Sequence, residues 1–96
     1  MIKHIVLFKY KAEATPAQRK EVEDRLNALP GLIPDIKGWA LEHALPGRTA
    51  RAYDLALISE FDDVAALDRY IANPHHRAVI PLIDAACEHR AVFDYE

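Results

Sequence analysis

The sequence predicts an α+β domain of ferredoxin-like βαββαβ order, with a four-stranded antiparallel sheet and helices on one face. Alternating and helical hydrophobic patterns follow one another along the chain in that order. The first and third strands, which are central in this arrangement, are the two most apolar ones. The chain has 96 residues, which is enough for one hydrophobic core, so we expect a single domain over residues 1–96.

The opening segments predict the first strand and the first helix. The strand is expected over about residues 2–10, and one of its faces carries Ile2, His4, Val6, Phe8 and Tyr10. Thr15 can cap a helix that Pro16 begins, and Gln18 completes a capping box with that threonine. The pair Pro30-Gly31 is typical of a helix end. A strand and a helix therefore open the domain.

Two further strands are predicted next. In residues 36–45 and 53–61, large and mostly apolar side chains recur at every second position, which is the pattern of half-buried strands. The segment between them, residues 46–52, is interpreted as a loop that holds Arg48 and Arg51. These two segments supply the second and third strands of the sheet.

A second helical region follows, and prolines divide it. Asp62 or Asp63 can cap a helix at this point. The expected buried stripe of that helix consists of Val64, Leu67 and Ile71. Asn73-Pro74 should end the helix and begin another helical piece, in which Pro81 should force a kink or a second break.

The C-terminal part is expected to end in a strand over residues 91–95. Cys87 is the only cysteine, so the chain cannot form an internal disulfide and nothing suggests an oxidising compartment. We expect Cys87 to lie in a helix and to act as a small, at least half-buried hydrophobic residue.

Composition and charge argue against several classes of function. The net charge is −3 and the lysines and arginines are scattered, so no nucleic-acid partner is expected. No apolar stretch approaches the length of a membrane span, and the apolar run near the N-terminus is shorter than that of a signal peptide. We therefore expect a cytoplasmic protein without a membrane partner.

The central strands are apolar on both of their faces. Ile5 and Leu7 lie opposite to the face of Val6, and Ala56 and Ile58 lie on the second face of the third strand. Two helices can cover only one face of a four-stranded sheet. The second face therefore predicts a homodimer in which two sheets pack together, although the sequence leaves open which face meets the partner.

Four motifs carry a resemblance to a known family. They are Lys3-His4-Ile5-Val6-Leu7-Phe8-Lys9, Tyr53-Asp54-Leu55-Ala56-Leu57 with Glu60-Phe61, Tyr70 before Asn73-Pro74-His75-His76, and Phe93-Asp94-Tyr95. In these motifs the chain resembles the stress-responsive α/β-barrel family, also called Dabb, over essentially its whole length. The resemblance implies a dimeric ferredoxin-like barrel. Most bacterial members of the family have no established biochemical activity.

The resemblance also implies site residues. One plant branch of the family, the olivetolic acid cyclases, cyclises a polyketide thioester without a cofactor. Its catalytic tyrosine and histidine fall by the motif on Tyr70 and His76, and its strand-one pocket histidine falls on His4. The chain departs from the plant branch at Leu55, where that branch has another pocket histidine. It departs from the common family motif at Asn73, where that motif has histidine.

The chemistry of these residues is compatible with acid–base catalysis. His76 is expected near the third position of the helix that Pro74 begins, where the helix N-terminus disfavours a positive charge and keeps the imidazole neutral near pH 7. Tyr70 could orient a carbonyl group, so the two residues could together support proton abstraction beside a carbonyl. The alternative interpretation is a buried hydrogen-bonded pair of Tyr70 and His76 without a chemical role.

The function predicted from these observations is that of a homodimer whose small, mostly apolar pocket binds or acts on a carbonyl or polyketide-like metabolite without a cofactor. The candidate residues are His76, Tyr70 and His4 for catalysis, and Leu55, Phe8 and Arg77 for ligand contacts. No metal site is expected, because the adjacent His75 and His76 point in different directions on a helix. A non-catalytic stress or ligand-binding protein and a cofactor-free monooxygenase on the same barrel remain the alternatives.

Overall fold

The computed structural model describes residues 1–48 and 52–96, and its elements follow the predicted order. The strands are β1 (Ile2–Tyr10), β2 (Gly38–His43), β3 (Leu55–Phe61) and β4 (Cys87–Tyr95). The helices are α1 (Pro16–Ala28), α2 (Val64–Ala72) and α3 (Pro74–Ala86), and a short 3-10 helix at Leu29–Gly31 follows α1. Of the loop predicted over 46–52, the part that contains Arg51 lies outside the described residues.

The four strands form one antiparallel sheet in the order β2-β3-β1-β4. β1 and β3 are central, as their apolar character predicted. The register places Val6 beside Leu57 on one side and beside Val92 on the other. The predicted α+β fold with a ferredoxin-like strand order is therefore confirmed.

The helix starts follow from local side-chain chemistry. The N–H of Gln18 donates to Thr15 Oγ1 at 3.1 Å, and the N–H of Thr15 donates to Gln18 Oε1 at 2.8 Å, which is the predicted capping box. Asp63 caps α2 by accepting from the N–H of Ala66 at 2.8 Å. Asn73 ends α2 and also caps α3, so a single residue turns the chain between the two helices.

The buried side of α2 differs from the predicted stripe. Val64 is 57% exposed and Ile71 is 44% exposed, whereas Ala66, Leu67 and Tyr70 are buried. Residues three and four positions apart share a helix face, so the burial of Ala66 and Tyr70 turns the flank that carries Val64 and Ile71 outward. Leu67 is the one predicted position that is buried.

The C-terminal third bears on two further predictions. The second break that was one of the two outcomes expected at Pro81 does not occur, because Pro81 lies inside α3 and the buried Val79 and Ile83 on either side hold the helix against the core. A kink at Pro81 stays a prediction. β4 begins at Cys87 rather than near residue 91, so Cys87 is a strand residue. The cysteine is buried, as expected for a small hydrophobic residue.

The two faces of the sheet have different surroundings. The side chains of β1 alternate strictly between buried and half-buried positions, and the buried set includes Val6 and Phe8 on the helix-covered face. Ile5 and Leu7 occupy the other face, which no helix covers among the described elements. The structure thus identifies which face of the sheet is open. Within the described residues, no helix is long and apolar enough to cross a membrane.

Candidate functional site

A cavity of about 390 Å³ lies between the helix-covered face of the sheet and the helices. Its polar lining residues are His4, Tyr70, His76, Arg77, Arg90 and Asp94. Its apolar lining residues are Val6, Phe8, Leu26, Leu57, Ile71, Ile80, Ile83 and Val92. A mostly apolar cavity with a few polar groups is the usual form of a small-molecule site.

His4 is placed in the cavity by the alternation of β1 and is held there by β4. The two strands pair so that His4 lies directly opposite Asp94, and His4 Nδ1 is hydrogen-bonded to Asp94 Oδ1. Because a carboxylate can only accept, Nδ1 carries the proton in this contact. In the neutral imidazole, Nε2 of His4 is then the nitrogen with a free lone pair.

His76 is the third residue of α3, as predicted, and its ring is partly buried. Its Nδ1 lies 3.0 Å from the carbonyl oxygen of Ile71, which can only accept, so Nδ1 donates and Nε2 keeps its lone pair. Burial lowers the pKa of His76, and the charges of His4 and Arg90 lower the pKa further, against the hydrogen bond to Ile71, which raises it. His76 is therefore neutral near pH 7, as predicted, but with burial as the main cause.

Tyr70 is in ring contact with both histidines and is only 1% exposed. Its ring centre is 4.5 Å from that of His76 and 6.0 Å from that of His4. No residue in the described part of the chain forms a hydrogen bond with the Tyr70 hydroxyl. Every fully buried side-chain oxygen in that part does have a hydrogen-bond partner. The hydroxyl therefore reaches accessible space in the cavity. Burial raises the pKa of Tyr70, so the phenol stays protonated and can donate.

The structure does not group all six predicted site residues. His4, Tyr70 and His76 line one cavity although far separated in sequence, and Phe8 and Arg77 line it too. Leu55 is buried beside Phe8 at the start of β3, but it is not among the residues that line the cavity. Leu55 packs in the hydrophobic core outside this lining, and a ligand contact at Leu55 stays a prediction.

Two polar residues of the described lining were not predicted as site residues from the sequence. Asp94 was recognised only as part of a motif, and Arg90 was not singled out. Both lie on β4 with Val92 between them, so the period of two along this strand could have placed all three on one face. Asp94 and His4 are 90 positions apart, and their pairing depends on the register of β1 against β4. The pattern of the sequence does not supply that register.

The described residues contain no group of three or more histidine, cysteine or acidic side chains that could hold a metal ion. His75 is exposed and His76 is partly buried in the cavity wall, so the two adjacent rings point in different directions. The chemistry available in the cavity thus includes the Nε2 lone pair of His76, the imidazole of His4 held by Asp94, and one protonated phenol beside apolar walls. Such a set can accept a proton, donate a hydrogen bond to an oxygen and return the proton.

Comparisons with known proteins agree with this fold. The chain is 38% identical over 85 residues to an uncharacterised protein of Streptomyces coelicolor, covering 85% of this chain and 86% of that protein. A dimeric ferredoxin-like protein of unknown function from Thermobifida fusca is 32% identical, with a TM-score of 0.85 and coverage of 98% of this chain and 88% of that chain.

A hydroxynitrile lyase from Passiflora edulis has the same fold, with a TM-score of 0.87. Its sequence is 24% identical, and the alignment covers 98% of this chain and 90% of that chain. The model of the stress-responsive A/B barrel domain, Dabb, matches residues 2–96. The chain therefore belongs to the stress-responsive A/B barrel domain family.

Proposed function

We propose that this protein is a cofactor-free enzyme that abstracts a proton beside the carbonyl group of a small metabolite. The observation that carries the proposal is the hydroxyl of the otherwise buried Tyr70, which reaches the cavity without a partner among the described residues and belongs to a ring packed on that of His76. Buried tyrosine hydroxyls are normally hydrogen-bonded, so one left open to a cavity is available for a ligand.

In this proposal, Nε2 of His76 accepts the proton from the carbon beside the carbonyl. The hydrogen bond from Nδ1 to Ile71 fixes the required tautomer, and burial keeps the ring neutral. Tyr70 donates a hydrogen bond to the carbonyl oxygen, on which negative charge develops as the proton leaves. Because its pKa is raised, Tyr70 remains a donor throughout this step.

His4 completes the proposed site from the side of the sheet. Asp94 holds its Nδ1–H, so the ring is fixed in orientation and can stabilise a proton that arrives at Nε2. The ring centres of His4 and Tyr70 are 6.0 Å apart, so one small ligand can contact both residues. This arrangement gives His4 a supporting role in proton transfer.

Exchange of carbon-bound hydrogen in heavy water tests the proposal without a known substrate. A panel of small ketones, β-keto acids and β-keto thioesters is incubated with the protein and followed by NMR. The wild-type protein should accelerate exchange beside the carbonyl. His76→Ala should lose about 10²–10⁴-fold and Tyr70→Phe less, because a general base contributes about that factor.

His75→Ala is the matched control, because His75 is exposed and lies next to His76 in α3. This variant should exchange at the wild-type rate. A panel in which no compound exchanges faster than in buffer, or in which His76→Ala exchanges as fast as the wild type, would contradict the proposal.

A non-catalytic ligand-binding protein is the second candidate function. The observation that favours it is the composition of the cavity, whose walls are mostly aliphatic and aromatic side chains such as Phe8, Leu57 and Ile83. This candidate predicts that apolar ligands raise the melting temperature of wild type and His76→Ala alike, without any exchange activity.

We further propose that the chain forms a homodimer through the open face of its sheet. Ile5, Leu7 and Ile58 are only partly covered on this face, and Phe93, which pairs with Ile5, is 64% exposed. The relative from Thermobifida fusca is a dimeric protein with the same fold. Sedimentation at micromolar concentration should give twice the mass of the chain, and a monomer would contradict the proposal.

A further inference from the structure

Two arginines line the cavity, and the proposed acid–base chemistry uses neither of them. Arg77 follows His76 on α3, and Arg90 lies on the helix-facing side of β4 opposite Phe8. Both side chains are exposed, whereas His4 and Tyr70 in the same lining are buried. The guanidinium groups therefore mark the solvent end of the cavity, which we call the rim, and the His4–Tyr70 end is its floor.

The space between rim and floor is apolar. Val6, Leu57 and Ile83 are buried lining residues from the sheet and from α3. A ligand that fills the cavity must therefore have an apolar body. A ligand that also carries an anion can leave that anion at the rim, where water and guanidinium groups are both available.

The charges already present at the rim do not neutralise both arginines. Asp94 is the one carboxylate that the described residues contribute to the lining, and it is hydrogen-bonded to His4. Arg90 Nη2 has only a loose contact with Asp84, at 3.8 Å from the carboxylate oxygen. No hydrogen bond or ion pair joins the Arg77 side chain to any residue of 1–48 or 52–96. Among the described residues of the lining, two guanidinium groups stand against one carboxylate, so the lining carries an excess of positive charge.

We infer that the cavity binds an amphipathic organic anion, whose apolar body lies against the sheet and whose carboxylate is held at the rim by Arg77 and Arg90. This inference rests on the proposed function and names its substrate class, a small carbonyl compound that also carries a carboxylate. The carboxylate end sets the orientation, so the remainder of the molecule extends towards Tyr70 and His76. Guanidinium groups suit this task because their N–H donors match carboxylate geometry.

Calorimetry with octanoate and octanamide tests the inference with two probes that differ mainly in charge. The wild-type protein should bind octanoate about tenfold or more tightly than octanamide, the factor expected for one charge-assisted hydrogen bond. Arg77→Gln and Arg90→Gln should each reduce the preference, and the double variant should bind the two probes equally. Raising the salt concentration should weaken octanoate binding alone, because the rim is exposed.

Two variants control for other binding sites and for net charge. Arg25→Gln removes one positive charge from the exposed side of α1, outside the cavity, and should keep the full preference. Ile80→Trp fills part of the cavity and should weaken binding of both probes, while circular dichroism checks that it is folded. Equal affinity of wild type for the two probes, a preference that survives in the double variant, or failure of both probes to bind would overturn the inference.

The outcome is separable from that of the hydrogen-exchange experiment. His76→Ala should keep the preference for octanoate, because the rim does not depend on the base. An Arg-dependent preference without any exchange activity would support the rim and contradict the catalytic proposal. Hydrogen exchange that depends on His76, without a preference for octanoate, would support the catalytic proposal and contradict the rim.

Discussion

The two faces of the central strand β1 have opposite roles, although their residues alternate one by one. Val6 points towards the helices and lines the cavity, whereas the next residue, Leu7, points to the open face. Both are aliphatic, so hydrophobicity alone does not distinguish them. The comparison teaches that the helices, by covering one face, make that face a wall of the cavity and leave the other face open, where we propose that a second copy of the chain packs.

Val6→Asp should have the largest effect and should unfold the protein. Val6 is buried in the core, and an uncompensated carboxylate there costs several kcal/mol, on the order of the whole stability of a small domain. Urea titration followed by circular dichroism measures the loss. A Val6→Asp protein with a wild-type midpoint would mean that the two faces of β1 are equally tolerant.

Leu7→Asp should leave a folded chain that no longer dimerises. The Leu7 side chain is half-buried in the single chain, so a charge at this position can reach water in the monomer. In the proposed dimer, the two introduced carboxylates would be brought together across the sheet interface and would repel each other. We expect the dimer dissociation constant to rise by about 100-fold or more, since a desolvated unpaired charge costs several kcal/mol. Sedimentation velocity measures it, Leu7→Ala is the milder control, and an intact Leu7→Asp dimer would refute the assignment of the open face.

The pH dependence of stability should report the burial of His76 on the helix-covered face. Its folded pKa is lowered, so the unfolded chain binds the proton more readily, and the stability that the neutral ring contributes is lost as pH falls below about 6.5. His76→Gln should flatten this part of the curve of melting temperature against pH, and His75→Gln should not. Equal slopes in wild type and His76→Gln would indicate that the ring is freely solvated.

Tyr70→Phe should have the smallest effect on stability. Its hydroxyl bonds no described residue, so removing it should change the free energy of unfolding by less than about 0.5 kcal/mol. A hydrogen-bonded structural pair of Tyr70 and His76 would instead lose about 1–2 kcal/mol. Urea unfolding of this variant therefore separates a ligand-facing hydroxyl from a structural one.

Local patterns of the sequence were sufficient for most of the fold. The capping box at Thr15, the cap at Asp63 and the chain turn at Asn73-Pro74 depend on residues within a few positions of one another, and the structure contains each of them. The alternation along β1 also placed His4 on the correct face. The convergence of His4, Tyr70 and His76 followed from the strand order, which places β1 at the centre of the sheet.

What only the tertiary structure decided depends on contacts between distant segments. The pairing of His4 with Asp94 requires the register of β1 against β4, and a shift by one residue would turn Asp94 to the open face. The rotation of α2 that buries Tyr70 and exposes Ile71 depends on how closely the helix packs on the sheet. The sequence by itself determined the elements and their order, because these follow from short-range propensity. The composition of the cavity, with Arg90 included and Leu55 excluded, was decided by packing between elements.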